Sequence, residues 1–517
     1  MPYSIRLMTI VSCMTLTAVS RKGCGLDATG TTGSWDDLAD SAKDRLAQLI
    51  EKFAAGQVTP AATHAFEQDL EKELRELGRQ TVQWTLNRLE PPTAELPKHA
   101  HFDGTEFTRL NRKAPQNAWC LFGAIRLQRV GFRPTDKSSG ESTIFPLAMS
   151  LGLTEGATPA LADRVGRMMG EGGSNQRHVL RRLKSEHAVG WGTKKLRDVT
   201  EAVSEAVTME CHEVQVGKLL ELLEKAWATT GRHKPVLSAG RDGITLGMRG
   251  PKSRTYRVAS VCTVAVLDRR GKRLGTIYLA QSPELGQATM SARMTHLLSD
   301  TLKRWTGMLP RLCYVTDSGD NETSYYDRVL SVMVHPRDGT KLEWLRVADF
   351  YHASERVWKM SELLFGKGWR ATSWARKMLK LMLKPGGVNR VLHSAAALRD
   401  RQKLNAKKLG KFATAYAYLR DRLAYMQYAD YRRVGMPLGS GVTEAACKTV
   451  FTQRLKQSGM TWEHAGSQTI LNLRVLLLSG TWEAAFQRTL ANVREPHTRS
   501  QTGSQTANAP IHEGKAA

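Results

Sequence analysis

A chain of 517 residues is longer than one hydrophobic core organises, so roughly three domains of about 100–200 residues each are expected. Hydrophobic residues at 41% and charged residues at 24% are typical of globular protein and exclude a chain disordered throughout. The formal net charge of +26, from 75 Lys and Arg against 49 Asp and Glu, points to a polyanionic partner such as nucleic acid, and away from acid proteases or glycosidases.

The first 24 residues carry a mildly apolar stretch resembling a secretory leader, but Ser12, Thr15 and Thr17 interrupt it, so no cleaved leader is expected. The seven cysteines, Cys13, Cys24, Cys120, Cys211, Cys262, Cys313 and Cys447, form no CxxC pair and are odd in number. That pattern suits a reducing cytoplasm rather than a disulfide framework or a zinc knuckle, and Cys262 and Cys313 read as core residues of strands. No run of 18 apolar residues predicts a membrane span.

Residues 1–92 form a helical region, because apolar residues recur at three and four positions through 34–90 and predict two amphipathic helices. Pro91, Pro92 and Pro97 break that pattern, and Phe102, Phe107, Trp119, Phe122 and the alternating LFGAIRLQRVGF predict a small basic β region over 93–145. Residues 146–230 return to helical spacing. There SNQRHVLRRLKSEHAVGWGTKKLRDV offers a helix, a turn and a second helix, a possible helix-turn-helix for binding DNA ends.

From 231 to 352 the pattern is α/β: a meander of about three strands, two of them joined by the turn DRRGKR, then helix, strand and helix, with a further strand in LEWLRVADF. Residues 353–435 are helical and basic. Between Lys367 and Lys411 there are thirteen Lys or Arg residues against one acid, Asp400, with Trp369 and Trp374 nearby, which reads as a surface that follows phosphates through Arg376, Lys377, Lys380 and Lys384. Residues 436–490 are again helical, and 491–517 lead into a tail without aromatics that is expected to be disordered.

Four acidic positions carry the chemistry. Asp242 in AGRDG and Asp317 in CYVTDSGD follow strand-like runs, so their carboxylates are placed near strand ends, where open α/β sheets gather ligands. An Asp before Gly is commonly a turn residue, and Asp320 competes with Asp317, although it reads better as a cap for a helix starting near Thr323. Asp349 and His352 in DFYH share one face at a helix start and suit either structural support or direct contact. Glu444 follows the turn Gly439, Ser440, Gly441 in the first turn of a helix expected over 443–455. Lys448, Arg454 and Lys456 on that helix, with Arg474 further on, read as neutralising a phosphate backbone. Oxygen ligands of this kind suit hard divalent ions and two-metal phosphoryl transfer.

The block GSGVTEAACKTVFTQRLKQSGMTWEHAGSQTILNLRVLLLSGTW, with DFYHASERVW, the Asp317 region and AGRDG, resembles bacterial insertion-sequence transposases of the DDE class, specifically the group named after the Kra4 element. The resemblance spans roughly residues 110–490. It implies an α/β fold with an RNase H-like catalytic core and an all-helical insertion, preceded by helical and small β N-terminal domains. It further implies Asp242, Asp317 and Glu444 as catalytic, metal-holding acids, with Asp320, Asp349 and His352 as alternative or supporting residues. Two Mg2+ ions, replaceable by Mn2+, would serve cleavage of transposon ends and joining of their 3′-hydroxyls to target DNA. The implied partners are double-stranded DNA and a second copy of the chain on it, in the bacterial cytoplasm with the nucleoid, without a membrane or an obligatory zinc. SGDNE follows the threonine–aspartate pair where many relatives have GAxWI, which leaves Asp317 and Asp320 both open. The competing classes are an RNase H-like nuclease without strand transfer and a non-catalytic DNA-binding protein of the same descent.

Overall fold

The computed structural model describes residues 34–102, 104–250, 253–402 and 404–491, and the leader-like segment and the tail lie outside them. These residues form a mixed α/β protein that divides into two compact units, the first holding residues up to 164 with 180–199, the second holding 165–179 with 200–489. No helix among the described residues is long and apolar enough to cross a membrane.

In the first unit the two expected amphipathic helices are present as α1 (Trp35–Ala55) and α2 (Pro60–Arg88). Ser34 and Asp37 close a capping box at the start of α1, and Thr59, accepting from Ala62 N–H ahead of Pro60, caps α2. Arg45 to Glu73 at 2.9 Å and the Phe53–Phe66 stack hold the hairpin. The expected small sheet is two. One has order β1 (His99–Phe102), β2 (Thr105–Arg109), β5 (Phe132–Pro134), and the other is a hairpin of β3 (Ala114–Cys120) and β4 (Gly123–Arg129). The open edge of β4 is answered by side chains of α2: Gln83 accepts from Arg126 N–H, and Asn87 bridges the Arg126 carbonyl and the Gln128 N–H. Just beyond the strand, Glu90 accepts from Val130 N–H, and its burial pushes its carboxyl up to about 6.

The helices α3 (Pro146–Ser150), α4 (Pro159–Gly170), α5 (Gln176–His187) and α6 (Thr193–Ala228) follow. The pair α5 and α6 is the place expected for a helix-turn-helix. The second helix is 36 residues long, however, and its later turns bury Val216, Leu219, Leu222 and Leu223 in the core of the second unit. That burial makes the later turns of α6 part of a hydrophobic core.

The second unit is built on a five-stranded sheet of order β10-β9-β6-β7-β8. The strands β6 (Val236–Arg249), β7 (Arg254–Leu267) and β8 (Arg273–Gln281) make the expected antiparallel meander, whose DRRGKR turn is tied by Asp268 accepting from the N–H groups of Arg270 and Lys272. After α7 (Ala288–Arg304), β9 (Arg311–Thr316) adds parallel to β6. After α8 (Asp320–Arg328), β10 (Trp344–Ala348) adds parallel to β9.

Alternation along β9 divides the core. Leu312 and Tyr314 face α6 and α7, while Cys313 and Val315 face the helical layer that follows β10. That layer comprises α9 (Phe350–Phe365), α10 (Trp369–Met382), α11 (Gly387–Gln402), α12 (Ala406–Asp421) and α13 (Tyr428–Arg433), packed around Met360, Met378, Val391 and Phe412. Buried Tyr428 and Tyr431 donate their hydroxyls to the β10 carbonyls of Ala348 and Arg346, which fixes the layer to the sheet. The chain then returns through α14 (Gly441–Ala446), a π turn over Cys447–Thr452, α15 (His464–Leu478) and α16 (Trp482–Ala491). The single helix expected over 443–455 is therefore two shorter pieces, with wider i→i+5 turns in the second.

Candidate active site

The strand register brings the acids into one row. β6 pairs with β9 through Ala239 opposite Tyr314, and continuing that register three residues sets Asp242 level with Asp317. β9 pairs with β10 through Thr316 opposite Ala348, so one residue further sets Asp349 level with Asp317. Asp242 does not mark the end of its strand as expected: β6 runs on to Arg249 against β7, and only its pairing with β9 stops before Asp242. The carboxylate is free to face the gap because β9 has ended there.

Asp317 begins a tight reversal. Ser318 has φ 64°, the left-handed region, and is buried, a strain of the kind that persists where surrounding structure over-determines it. Gly319 donates its N–H to Asp317 Oδ1 at 3.1 Å, and Ser318 donates to Thr316 Oγ1 at 3.2 Å. Two side chains of the helical layer hold this loop from outside: Tyr418 donates to the Asp317 carbonyl at 2.9 Å and Arg422 to the Ser318 carbonyl at 3.0 Å.

Asp349 is fully buried and its two oxygens are spent on backbone and hydroxyl donors. Oδ1 caps α9 by accepting from the N–H groups of Tyr351 and His352, and Oδ2 accepts from both the N–H and the hydroxyl of Ser440. Asp349 thereby ties the end of β10 to the turn that launches α14. The Ser440 hydroxyl oxygen also lies 3.2 Å from Glu444 Oε1, an alternative acceptor for its single proton, and His352 Nε2 lies 3.2 Å from the same oxygen. The DFYH segment thus positions Glu444 twice, through Asp349 and Ser440 and through His352.

The helix bearing Glu444 approaches β6 closely. A β-carbon at Gly240 would collide with Thr443 Oγ1, and Thr443 instead meets Thr263 of β7 at 2.7 Å. One turn on, the Cys447 thiol donates to Asp242 Oδ2 at 3.3 Å, and Gly243 N–H donates to Oδ1 at 2.7 Å. Burial holds the Asp242 carboxyl above the usual carboxylate range. The Gly243 and Cys447 hydrogen bonds oppose that rise, and the charges of Asp317 and Glu444 add to it. Burial raises the Cys447 thiol too, reinforced by Asp242, Glu444 and Asp317, so it stays protonated and serves as a donor.

A further acid belongs to this group. Glu322, in the first turn of α8, is buried, and its Oε2 and Asp317 Oδ1 lie 2.5 and 3.6 Å from the point where a Gly319 β-carbon would sit. Burial raises its carboxyl, with the Asp317 and Asp242 charges adding and its own backbone N–H and Arg241 opposing. Arg241 is itself buried, held by Gln287 and Ser291. Asp320 is exposed as the first residue of α8, whose N-cap is Gly319, so the helix starts three residues before Thr323. Among the acids after β9 it is Asp317 and Glu322 whose carboxylates come together beside Gly319, and the sequence signal for Glu322 was its place in DSGDNE, five residues past Asp317.

Of the basic residues read as phosphate contacts, Arg376, Lys377, Lys380, Lys384, Lys448 and Lys456 are exposed. Arg454 and Arg474 are not. Arg454 is buried with its Nε on the Met169 carbonyl, and Arg474 is buried between the carbonyls of Thr449 and Gly170. Both depart from the expectation that they face a phosphate backbone, because their guanidinium groups satisfy the carbonyl groups of the π turn and of α4.

Elsewhere in the second unit, His212, His296 and Asp300 form a His/His/Asp cluster capable of coordinating a metal ion. No protein-family model and no curated protein matches this chain.

Proposed function

We propose that this chain is a DDE transposase with an RNase H-like core, cleaving phosphodiesters at transposon ends and joining the freed 3′-hydroxyls to target DNA. The observation that carries the reading is the convergence of Asp242, Asp317 and Glu444 from three separate elements, with the first two level on neighbouring strands. The sheet order supports it: an antiparallel meander extended on the β6 side by two parallel strands, with the third acid on a helix after a helical insertion.

The donor set fits divalent cations. Three carboxylates, two of them partly buried, repel one another without a cation between them, and that repulsion, which adds to burial in holding the Asp242 carboxyl up, is what a hard ion would relieve. Asp242, Asp317 and Glu444 would hold paired Mg2+ or Mn2+, which when bound polarise the scissile phosphate and lower the pKa of an attacking water. The chain's residues do the rest. Asp349 and Ser440 fix the Glu444 turn, His352 orients the Glu444 carboxylate, Tyr418 and Arg422 fix the Asp317 loop, and the exposed lysines of α10 hold the DNA backbone.

The test is incubation of purified protein with labelled DNA bearing its element's ends, in Mg2+ or EDTA, for wild type and Glu444→Ala. Mg2+-dependent cleavage and joining that the substitution abolishes is the expected result. Cleavage without joined products would instead make the chain a nuclease, and tight binding indifferent to Asp242→Ala would make it a non-catalytic DNA-binding protein.

A further inference from the structure

We propose that His212, His296 and Asp300 form a site for one transition-metal ion of the zinc class that clamps α6 to α7, built from residues none of which belongs to the acid row. His296 and Asp300 are four apart on α7 and so share a face, while His212 comes from α6. The two imidazole rings lie parallel, 3.9 Å between centroids at 6°, and both present Nε2 to the same oxygen: His212 at 2.8 Å and His296 at 3.5 Å from Asp300 Oδ2. All three donor atoms fall within 4.8 Å of one another. Donors at about 2.0–2.2 Å from a tetrahedral zinc stand roughly 3.3–3.5 Å apart, so the donor atoms are already near ligand spacing, and the two parallel rings have to tilt until their planes meet at the ion.

The donor chemistry selects the metal. Two imidazole nitrogens with one carboxylate suit Zn2+, Co2+, Ni2+ or Cu2+, whereas Mg2+ prefers oxygen ligands and retains its water. Three protein ligands leave one position for water, and the exposure of His296 opens that side to solvent. The nearby cation is already engaged: Arg304 lies 3.7 Å from Asp300 Oδ2 but gives two hydrogen bonds, of 2.8 and 2.7 Å, to Glu213. The helices joined are those that cover one face of the sheet, Val216 and Leu219 of α6 sharing a core with Met290 and Met294 of α7. An ion across them stabilises the folded state by mass action.

The experiment uses the full chain, stripped with EDTA and dialysed, titrated with ZnCl2 by calorimetry and with Co2+ by visible absorption. Wild type is compared with His212→Ala, Asp300→Asn and His352→Ala. One equivalent of Zn2+ bound by wild type and by His352→Ala, with affinity at least about tenfold weaker in the other two variants, is expected, together with a Zn2+-dependent rise in melting temperature that those two lack. Equal affinity in all four proteins, or loss of binding only in His352→Ala, overturns the site. The variants' melting curves without metal establish that each is folded.

Discussion

Asp242 holds its proton more tightly in the folded chain than an unfolded aspartate does, because burial and the charges of Asp317 and Glu444 penalise its ionised form. The sign of the linkage follows. The stability associated with this group is fully present below the unfolded carboxylate pKa and is lost as pH rises through the raised folded value. At neutral pH the charge is therefore a liability to the fold. Asp242→Asn is expected to melt above wild type at pH 7 in EDTA, with the difference shrinking as pH falls toward about 4, while DNA cleavage is abolished. Glu322, raised by burial and by the charges of Asp317 and Asp242, has the same sign, so Glu322→Gln should also melt higher at pH 7. Melting curves from pH 4 to 8 check both, and a lower melting temperature for either variant at pH 7 would contradict the electrostatics of the acid row.

The elements carrying the acids are held by a small number of polar ties, and those ties were only partly legible in the sequence. Asp349→Ala removes the cap of α9 and leaves the buried Ser440 N–H without its acceptor, so a loss of about 2–4 kcal/mol is expected in denaturant unfolding of the second unit. Tyr418→Phe removes a single hydrogen bond to the Asp317 carbonyl and should cost about 1 kcal/mol or less, yet slow the reaction by loosening the loop. A cleavage rate for Tyr418→Phe equal to wild type would show that the Tyr418 hydrogen bond does not position Asp317. The meander and the helices on either side of β9 could be read from local periodicity and spacing. The level placement of Asp242, Asp317 and Asp349 could not, because register between distant strands is decided by tertiary pairing. The π turn was likewise hidden, since 443–455 has ordinary helical spacing, and the wide turns that carry Cys447 beside Asp242 are visible only in the folded chain. Glu322 escaped notice because an acid in the first turn of a helix is ordinarily explained by the helix dipole alone.

At the scale of the molecule, the charge of +26 has to be divided between residues that face solvent and residues that serve the fold. Arg454 and Arg474 show why counting basic residues is insufficient: on helical spacing they resemble their exposed neighbours Lys448 and Lys456, but their guanidinium groups are buried against backbone carbonyls. The two classes predict different failures. Replacing Arg376, Lys377, Lys380 and Lys384 of α10 and its C-terminal turn together by Ala is expected to weaken DNA binding. It should also flatten the dependence of log affinity on log salt concentration, by about 0.9 for each phosphate that is no longer neutralised. The fold should be little affected, because surface substitutions of this kind usually change stability by about 0.5 kcal/mol or less. Arg454→Met or Arg474→Met should do the reverse, lowering the melting temperature by stranding the carbonyls of Met169 or Gly170 while leaving the salt slope of the remaining folded protein unchanged. Measuring melting temperature and salt-dependent DNA affinity on the same preparations separates the two. A salt slope that falls in Arg454→Met but not in the fourfold α10 variant would move the DNA path away from the helical layer and onto the π turn beside Glu444.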